Sequence, residues 1–363
     1  MRSMRRRAVD LFCGTGGFSR GAHAAGFNVA AGFDIDPILT SSFKTNFPDT
    51  NLVLRDLSRV SGGDLVRHAG GPIDLIFGGP PCQGFSAIGR RRKDDVRRTL
   101  VSHFFRLVAE ARPRAFVMEN VQGLAYRDAL PELEEAIAQL PVCYSTLGPM
   151  VLDAAEFGAA TKRKRIFVFG YDRDRCLPIC GDDIEAAKSS AATVADAFSG
   201  LSSASKLTSE DEFDRWQIPA DAFLSNYAAE LVGPDRVFTG NRRTQHTFAV
   251  RRRFSKVRPG TLDAVGKHPR LTWSGQCPTL RAGTGSDVGS YQSVRPIHPE
   301  EDRVITVREA ARLQGFPDHH IFHPTIWHSF RMIGNSVSPI IAEAMLRVLA
   351  EKLEMTEESK KAA

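Results

Sequence analysis

The sequence predicts an α/β protein: a mostly parallel, doubly wound sheet into which a second, smaller domain is inserted. Three observations carry this. Over roughly the first 170 residues short apolar segments alternate with helical ones, which implies parallel strands with helices on both faces. From about 180 to 265 the texture turns irregular, with Ser189-Ser190, Ser202-Ser203 and Ser205, then acidic residues at 209–214, then a basic stretch. Beyond about 300 strong helix signals return.

In chain order, Ala8–Phe12 reads as the first strand, followed by a glycine turn and a helix ending near Gly26. Val29–Phe33, Leu52–Leu54, Ile73–Phe77 and Ala115–Met118 read as the next four strands, and Arg165–Phe169 as another. The stretch from Arg236 to Arg258 holds eight Lys or Arg and no acid. Thr306-Val307-Arg308-Glu309 is a capping box that opens a helix through Leu313; Gly315 ends it and Pro317 blocks its continuation. A last helix is expected over Pro339–Leu353, and the polar end from Glu357 to Ala363 is expected to fray. The implied ranges are 1–180 for the first part of the larger domain, 181–292 for the insert, 293–328 for a hinge and linking helix, 329–355 for the return to the larger domain, and 356–363 for the tail.

At 363 residues the chain exceeds one average domain. Its 42 % hydrophobic and 25 % charged content suits a folded globular protein. A net charge of +6 and a pI of about 9.1 favour a polyanionic partner. The six cysteines, Cys13, Cys82, Cys143, Cys176, Cys180 and Cys277, are too irregularly spaced for a disulfide framework. Cys176 and Cys180 lack a second ligand pair, so no metal is expected. The basic segment Met1–Arg7 is followed by no long apolar run, so it is no secretory signal. No stretch approaches the roughly 18 apolar residues of a membrane span. A cytoplasmic location, away from membranes, is expected.

The most informative residues are Pro80-Pro81-Cys82-Gln83, directly after the fourth strand. Two prolines fix φ and remove two amide donors, so neither sheet nor helix continues there. A cysteine held just past a strand end lies at the rim where open α/β sheets bind ligands. Free cysteines are mostly buried and inert, but the flanking glycines and prolines favour a nucleophile. Asp10-Leu11-Phe12-Cys13-Gly14-Thr15-Gly16-Gly17 joins a strand to a helix. A dinucleotide pyrophosphate would be repelled by Asp10. A carboxylate suits a ligand with an ammonium group, such as S-adenosylmethionine (SAM). Asp34, at the second strand end, is placed for ribose hydroxyls, and Asp56, after the third, could accept from an adenine amino group. Met118-Glu119-Asn120-Val121 puts a carboxyl group at the rim beside the strand that leads to Cys82.

Together these residues resemble the DNA (cytosine-5) methyltransferase family. Asp10–Gly17 resembles its SAM loop, Gly79–Ser86 its nucleophile loop, and Glu119-Asn120-Val121 its Glu-Asn-Val motif. Asp95–Leu100 resembles the segment that closes the mobile loop, Arg163-Lys164-Arg165 the paired-arginine motif, and Gly334–Pro339 the C-terminal motif that completes the SAM pocket. The matches run in the family's order over about 1–170 and 270–350. The resemblance implies a Rossmann-like SAM-dependent methyltransferase fold, with 181–292 as a target-recognition domain. It implies a SAM pocket made by Asp10, Phe12, Cys13, Gly14, Thr15, Gly16, Gly17, Asp34, Ile35, Asp56, Leu57, Pro80, Leu100, Asn335 and Ser336. Catalysis would fall to Cys82, Glu119, Asn120, Arg163 and Arg165.

The implied reaction explains these residue types. Carbon 5 of cytosine is too weak a nucleophile until a thiolate adds to carbon 6. A thiol of pKa near 8.5 is mostly protonated at neutral pH, so its site must favour the thiolate or couple attack to ring protonation. Glu119 would hydrogen-bond N3 and the exocyclic amine, with a raised pKa so that it carries a proton. Arg165 or Arg163 would face the ring oxygen and a phosphate. The base must leave the duplex first. The expected DNA contacts are Gln83, Ser86, Arg90 and Arg97 in the loop, and Arg242, Arg243, Arg251, Arg252, Arg253 and Arg281 in the insert. Gln276–Gly283 resembles the motif that organises that insert.

Two departures from the family's pattern stand out. Ala160-Thr161 replaces Pro-Gln before the arginines, and Asp34 replaces a longer glutamate. The expected cofactor is SAM, with S-adenosyl-L-homocysteine as product. The expected partner is double-stranded DNA, bound by a monomer in the bacterial cytosol, with a restriction endonuclease or defence system acting on the same site. The rival functions are a tRNA cytosine-5 methyltransferase, a catalytically silent DNA-binding relative, and a nicotinamide oxidoreductase.

Overall fold

The computed structural model describes residues 6–81, 99–126, 129–208, 211–283 and 294–362. They form two compact units: residues up to Asp153, Lys164–Lys188 and from Ile341 onward make the first, and Ala154–Arg163 with Ser189–Ile340 the second. These divisions do not follow the boundaries suggested by the sequence. Residues 154–163 and the stretch from 294 to 340 both group with the insert.

The first unit is built on β1 (Arg7–Leu11), β2 (Asn28–Asp34), β3 (Asn51–Leu54), β4 (Leu75–Gly78), β5 (Ala115–Val121) and β6 (Tyr144–Asp153). After β7 (Thr161–Lys162), which belongs to the second unit, β8 (Lys164–Asp172) completes its sheet. The order is β3-β2-β1-β4-β5-β8-β6. The pairings among β3, β2, β1, β4 and β5 are parallel, and those of β8 with β5 and β6 are antiparallel. That reversal matters for function. A strand antiparallel to β5 begins at the edge where β5 ends, so Val121 faces Arg165.

The helices of this unit are α1 (Gly17–Ala24), α2 (Phe43–Asn46), α3 (Gly62–His68), α4 (Thr99–Ala111), α5 (Leu130–Ile137) and α6 (Gly181–Ala186). The core joins Leu11, Phe33, Ile76, Met118 and Val168 of the strands to Phe104, Phe105 and Leu107 of α4. Phe105 meets Phe116 edge-on, centroids 5.7 Å apart, a geometry that adds to the roughly 1.5–3 kcal/mol of burying each ring.

The second unit holds α7 (Val194–Phe198), α8 (Asn226–Leu231), α9 (Phe248–Phe254), α10 (Val307–Leu313) and α11 (Ile326–Asn335), together with a small antiparallel sheet. Its strands are β9 (Ser205–Lys206), β10 (Arg215–Gln217) and β11 (Val237–Thr239), and β12 (Cys277–Pro278) pairs with β7. The capping box of α10 forms as expected: Glu309 N donates to Thr306 Oγ1 at 3.2 Å and Thr306 N to Glu309 Oε2 at 2.7 Å. Arg312, fully buried, donates a forked pair to Asp318 at 2.9 and 2.7 Å and also reaches the carbonyl of Ser199. A buried charge needs this kind of complete pairing.

The last helix, α12 (Pro339–Ala362), outruns the expected end at Leu353. It is tied down as far as Glu357. Arg114 donates to Glu357 at 2.5 Å and to the Leu353 carbonyl at 3.1 Å, and Leu177 N donates to Thr356 Oγ1 at 2.9 Å. The stretch Ile326–Ser359, which runs over α11 and α12, passes a length-and-composition test for a membrane crossing, but 67 % of its apolar window is buried inside the protein, as a core helix is.

Candidate active site and cofactor pocket

The turn after β1 is made by three residues in the left-handed region: Phe12 (φ 66°), Gly14 (φ 49°) and Gly16 (φ 88°). Phe12 carries a side chain there, a strain of about 1–2 kcal/mol. The turn is held by Cys13 N donating to Phe33 O at 2.9 Å and Gly16 N to Cys13 O at 2.8 Å. A Cβ at Gly16 would lie 2.2 Å from the Phe47 ring, whereas one at Gly14 would meet nothing within 4 Å. The turn is therefore packed on its Gly16 side and open at Gly14, as a cradle for a ligand against backbone must be. Cys13 and Thr15 are buried, and Gly17 begins α1.

Asp34 closes this loop. Its carboxylate accepts from Gly14 N at 2.8 Å, Ile35 N at 2.7 Å and Asp36 N at 2.9 Å. Burial pushes the carboxyl above its ordinary value against those three bonds. A carboxylate offers about four acceptor positions, so one remains for a ribose hydroxyl. Ile35, at 67 % exposure, presents an apolar side chain beside it. Asp56 caps the turn Leu57–Arg59 and accepts from Ser58 N at 2.9 Å, which holds its carboxyl below the usual range and keeps it an acceptor at neutral pH. The open glycine, the apolar Ile35 and the ionised Asp56 fit an adenosyl ligand. Leu57 is buried and Leu100 lies in the first turn of α4.

Asp10 is tied to the helix that follows the turn. It is 1 % exposed and accepts from Ser19 Oγ at 2.5 Å, which ties β1 to α1. Burial pushes its carboxyl from the ordinary 3.8 to about 8. The folded chain binds this proton more tightly than the unfolded one, so this group's contribution to stability falls as pH rises from about 4 to about 8. Asp10→Asn should therefore gain melting temperature relative to the unsubstituted chain as pH is raised through that window. Thermal melts at pH 5 and pH 8 check this, and equal shifts at both would contradict it.

The catalytic rim is formed by the ends of β4 and β5. A Cβ at Gly78 would lie 2.2 Å from Leu11 O, and one at Gly79 would lie 2.9 Å from Glu119 Oε2. The Gly79-Pro80 backbone thus passes directly over the Glu119 carboxylate. Asn120, 2 % exposed, donates from Nδ2 to Pro80 O at 3.1 Å and fixes that turn. Pro80 is buried. Glu119 and Arg165 share one face of the antiparallel pair, since side chains two residues apart point the same way and Val121 lies opposite Arg165. Arg165 Nε reaches Glu119 Oε1 at 3.1 Å, with side-chain exposures of 17 % and 10 %. The cysteine that follows Pro81, and Gln83, Ser86, Arg90 and Arg97 after it, lie outside the described residues.

The two arginines of one motif have separate roles. Arg163, 3 % exposed, donates to Leu280 O at 3.2 Å and Gly334 O at 3.0 Å. Gly334 admits no side chain: a Cβ would lie 2.5 Å from Ala282 N. Arg163, Gly334 and the 280–282 segment form one knot within the second unit, whereas Arg165 pairs with Glu119 in the first. The departure at Ala160-Thr161 is absorbed in the same unit. Thr161 Oγ1 donates to Cys277 O at 3.0 Å, and Ala160 O accepts from Cys277 N at 2.9 Å. Asn335 ends α11 as an exposed residue and Ser336 caps it.

Among the expected DNA-contacting arginines, Arg242, Arg251, Arg252 and Arg281 are exposed. Arg243 instead pairs with Glu301 at 3.0 Å, and Arg253 with the fully buried Asp263 at 2.9 Å. Sequence reasoning missed Ser19, nine residues from its partner Asp10, and the bond of Thr161 to a carbonyl over 100 residues away; no local pattern announces either contact.

The C-5 cytosine-specific DNA methylase family matches residues 6–351. Type II methyltransferase M.XorII of Xanthomonas oryzae pv. oryzae is 40 % identical over 357 residues, covering 93 % of this chain and 82 % of that protein. Type II methyltransferase M.AgeI of Thalassovita gelatinovora is 28 % identical over 429 residues, 94 % and 99 % of the two chains. Among solved structures, an E. coli prophage-encoded chain described as a DNA modification methyltransferase superposes with a TM-score of 0.83 at 35 % identity, covering 96 % of this chain and 99 % of the other. The S. pombe Dnmt2 methyltransferase shares the fold, with a TM-score of 0.63 at 16 % identity, over 96 % and 98 % of the chains.

Proposed function

This chain belongs to the C-5 cytosine-specific DNA methylase family, and we propose that Cys82, Glu119 and Arg165 carry its reaction. It is a SAM-dependent DNA cytosine-5 methyltransferase of the type found in restriction–modification systems. The observation that supports this assignment of roles is the Glu119–Arg165 pair lying under the Gly79-Pro80 turn that runs into Cys82.

In this reading the Cys82 thiolate adds to carbon 6 of a cytosine extruded from the duplex, forming an S–C6 bond and sending electron density into the ring. Protonated Glu119 donates to N3 and accepts from the exocyclic amine, stabilising the ring as the adduct forms. Arg165 orients the Glu119 carboxyl at the rim and acts through it. Asn120 ties the Pro80 carbonyl to the end of β5. Gly14, Asp34, Ile35 and Asp56 hold SAM, which supplies an electrophilic methyl group when bound. A base then removes the carbon 5 proton, the C5–C6 double bond re-forms and the thiolate leaves. The chain acts as a monomer on a specific duplex sequence, beside a cognate restriction endonuclease that cuts the same site.

Methyl transfer from labelled SAM to duplex DNA and to tRNA tests the substrate. The expected result is label in DNA alone, and label in tRNA alone would overturn the reading. Relatives named type II methyltransferases at 40 % identity weigh against the tRNA alternative. Asp34→Ala removes the acceptor that gathers three backbone N–H groups around the glycine turn. SAM affinity should fall about 10- to 100-fold by calorimetry, in line with about 1.5–3 kcal/mol for bonds to a charged group.

A further inference from the structure

We infer that the outward face of α9 is the base-reading surface of the second unit, with Phe248 making the apolar base contact and Arg251 and Arg252 flanking it on duplex DNA. This rests on the DNA methylation proposed above and specifies how the target is chosen.

The argument starts with how α9 is mounted. A helix of seven residues does not hold alone in water. Here Val250 N donates to the Thr247 Oγ1 cap at 3.4 Å, and Phe254, 1 % exposed, packs with Ile297, Val304, Val250 and Val257. At about 100° per residue, Val250 and Phe254 define the inner side. Phe248, Arg251, Arg252 and Ser255 then share the opposite arc. Phe248 is 81 % exposed, and the two arginines and Ser255 are exposed with it.

One exposed phenylalanine is unremarkable on a protein surface. Its setting is what points to a ligand. Of the other arginines of the basic stretch, Arg236 donates to the carbonyls of Ala220 and Ala222, Arg243 pairs with Glu301 and Arg253 with Asp263, while Arg242 and Arg258 are exposed beyond the two ends of α9. Arg251 and Arg252 have no ion pair among the described residues, and the stretch from 236 to 258 contains no acid to offset them. The outcome is a capped, packed helix with a positive, aromatic outward face.

Charge complementarity selects a polyanion, and the geometry selects a duplex. A helix about 10–12 Å across fits a major groove about 12 Å wide. Arginine reads guanine there by a forked bond, and an apolar ring contacts the thymine methyl. Side chains on a packed helix are also held more precisely than those on a loop, as reading requires.

The test uses the full chain. Sequencing 5-methylcytosine in a host expressing it identifies the methylated site. Then kcat/KM is measured for that duplex and for duplexes with one base pair changed, for the unsubstituted chain, Phe248→Ala, Arg251→Gln and Arg252→Gln. Each variant should keep its melting temperature and SAM affinity. Phe248→Ala and at least one arginine variant should lose about 5- to 150-fold of discrimination at a single base pair. An arginine that holds phosphate instead should lower the log–log salt slope by about one. Unchanged discrimination in all three variants, with an active unsubstituted chain, overturns the inference and leaves the methylation reading intact. A uniform loss over every duplex also overturns base reading by α9. An unsubstituted chain that methylates no duplex overturns both.

Discussion

Replacing Cys82 by serine is expected to abolish methyl transfer, by about 10⁴-fold or more in single turnover, while SAM and duplex affinity remain within about threefold. The large factor follows from the role. Serine keeps the size of cysteine but is un-ionised and weakly nucleophilic at neutral pH, and knocking out a covalent nucleophile removes the step on which all later ones depend. The preserved binding follows from the fold. The cofactor residues Gly14, Asp34 and Asp56 are organised by β1, β2 and β3, and their hydrogen bonds close among residues 13–58. Calorimetry with SAM and gel shift with duplex check the binding half. A serine variant that methylates within tenfold of the unsubstituted chain would remove Cys82 from the chemistry.

Glu119→Gln is expected to lower the rate by about 10²–10⁴-fold, the range for losing a positioned proton donor, with little change in SAM affinity. The amide keeps the shape and can still hydrogen-bond, but it cannot deliver a proton to N3. Arg165→Ala should act through Glu119, because Arg165 Nε reaches that carboxylate at 3.1 Å. The two effects should therefore be non-additive: the double variant should be little worse than Glu119→Gln alone. Additive losses would mean that Arg165 acts on substrate independently. Lysine at 165 should restore less than half of the lost free energy, since it keeps the charge but not the fork.

Much of the first unit was legible because its strands are short apolar runs bounded by glycine and proline. β1, β2, β3, β4 and β5 fall within three residues of their sequence-based positions. Direction was not legible, because strand periodicity carries no sign, and the antiparallel setting of β8 depends on the crossover from β6. β6 itself escaped notice: it is half exposed along its length and its register shifts between Leu147 and Met150. The site was legible as residue types but less so as roles. Asp10 and Asp34 look alike in sequence, yet one faces a helix serine and the other gathers backbone amides. Arg163 and Arg165 are two residues apart, yet they belong to different compact units. Arg243 and Arg253 read as free cations because their partners, Glu301 and Asp263, come from other segments of the chain.

The central claim is that a thiolate from Cys82 bonds to carbon 6 of an extruded cytosine. It is tested most directly by incubating the chain with SAM and a duplex carrying 5-fluorocytosine at the methylated position, then denaturing, digesting and weighing the peptides. The fluorine cannot leave as a proton does, so the adduct should persist and the mass of the methylated nucleotide should appear on the peptide containing Cys82. No denaturant-stable adduct, or one that forms equally with Cys82→Ser, would contradict the account.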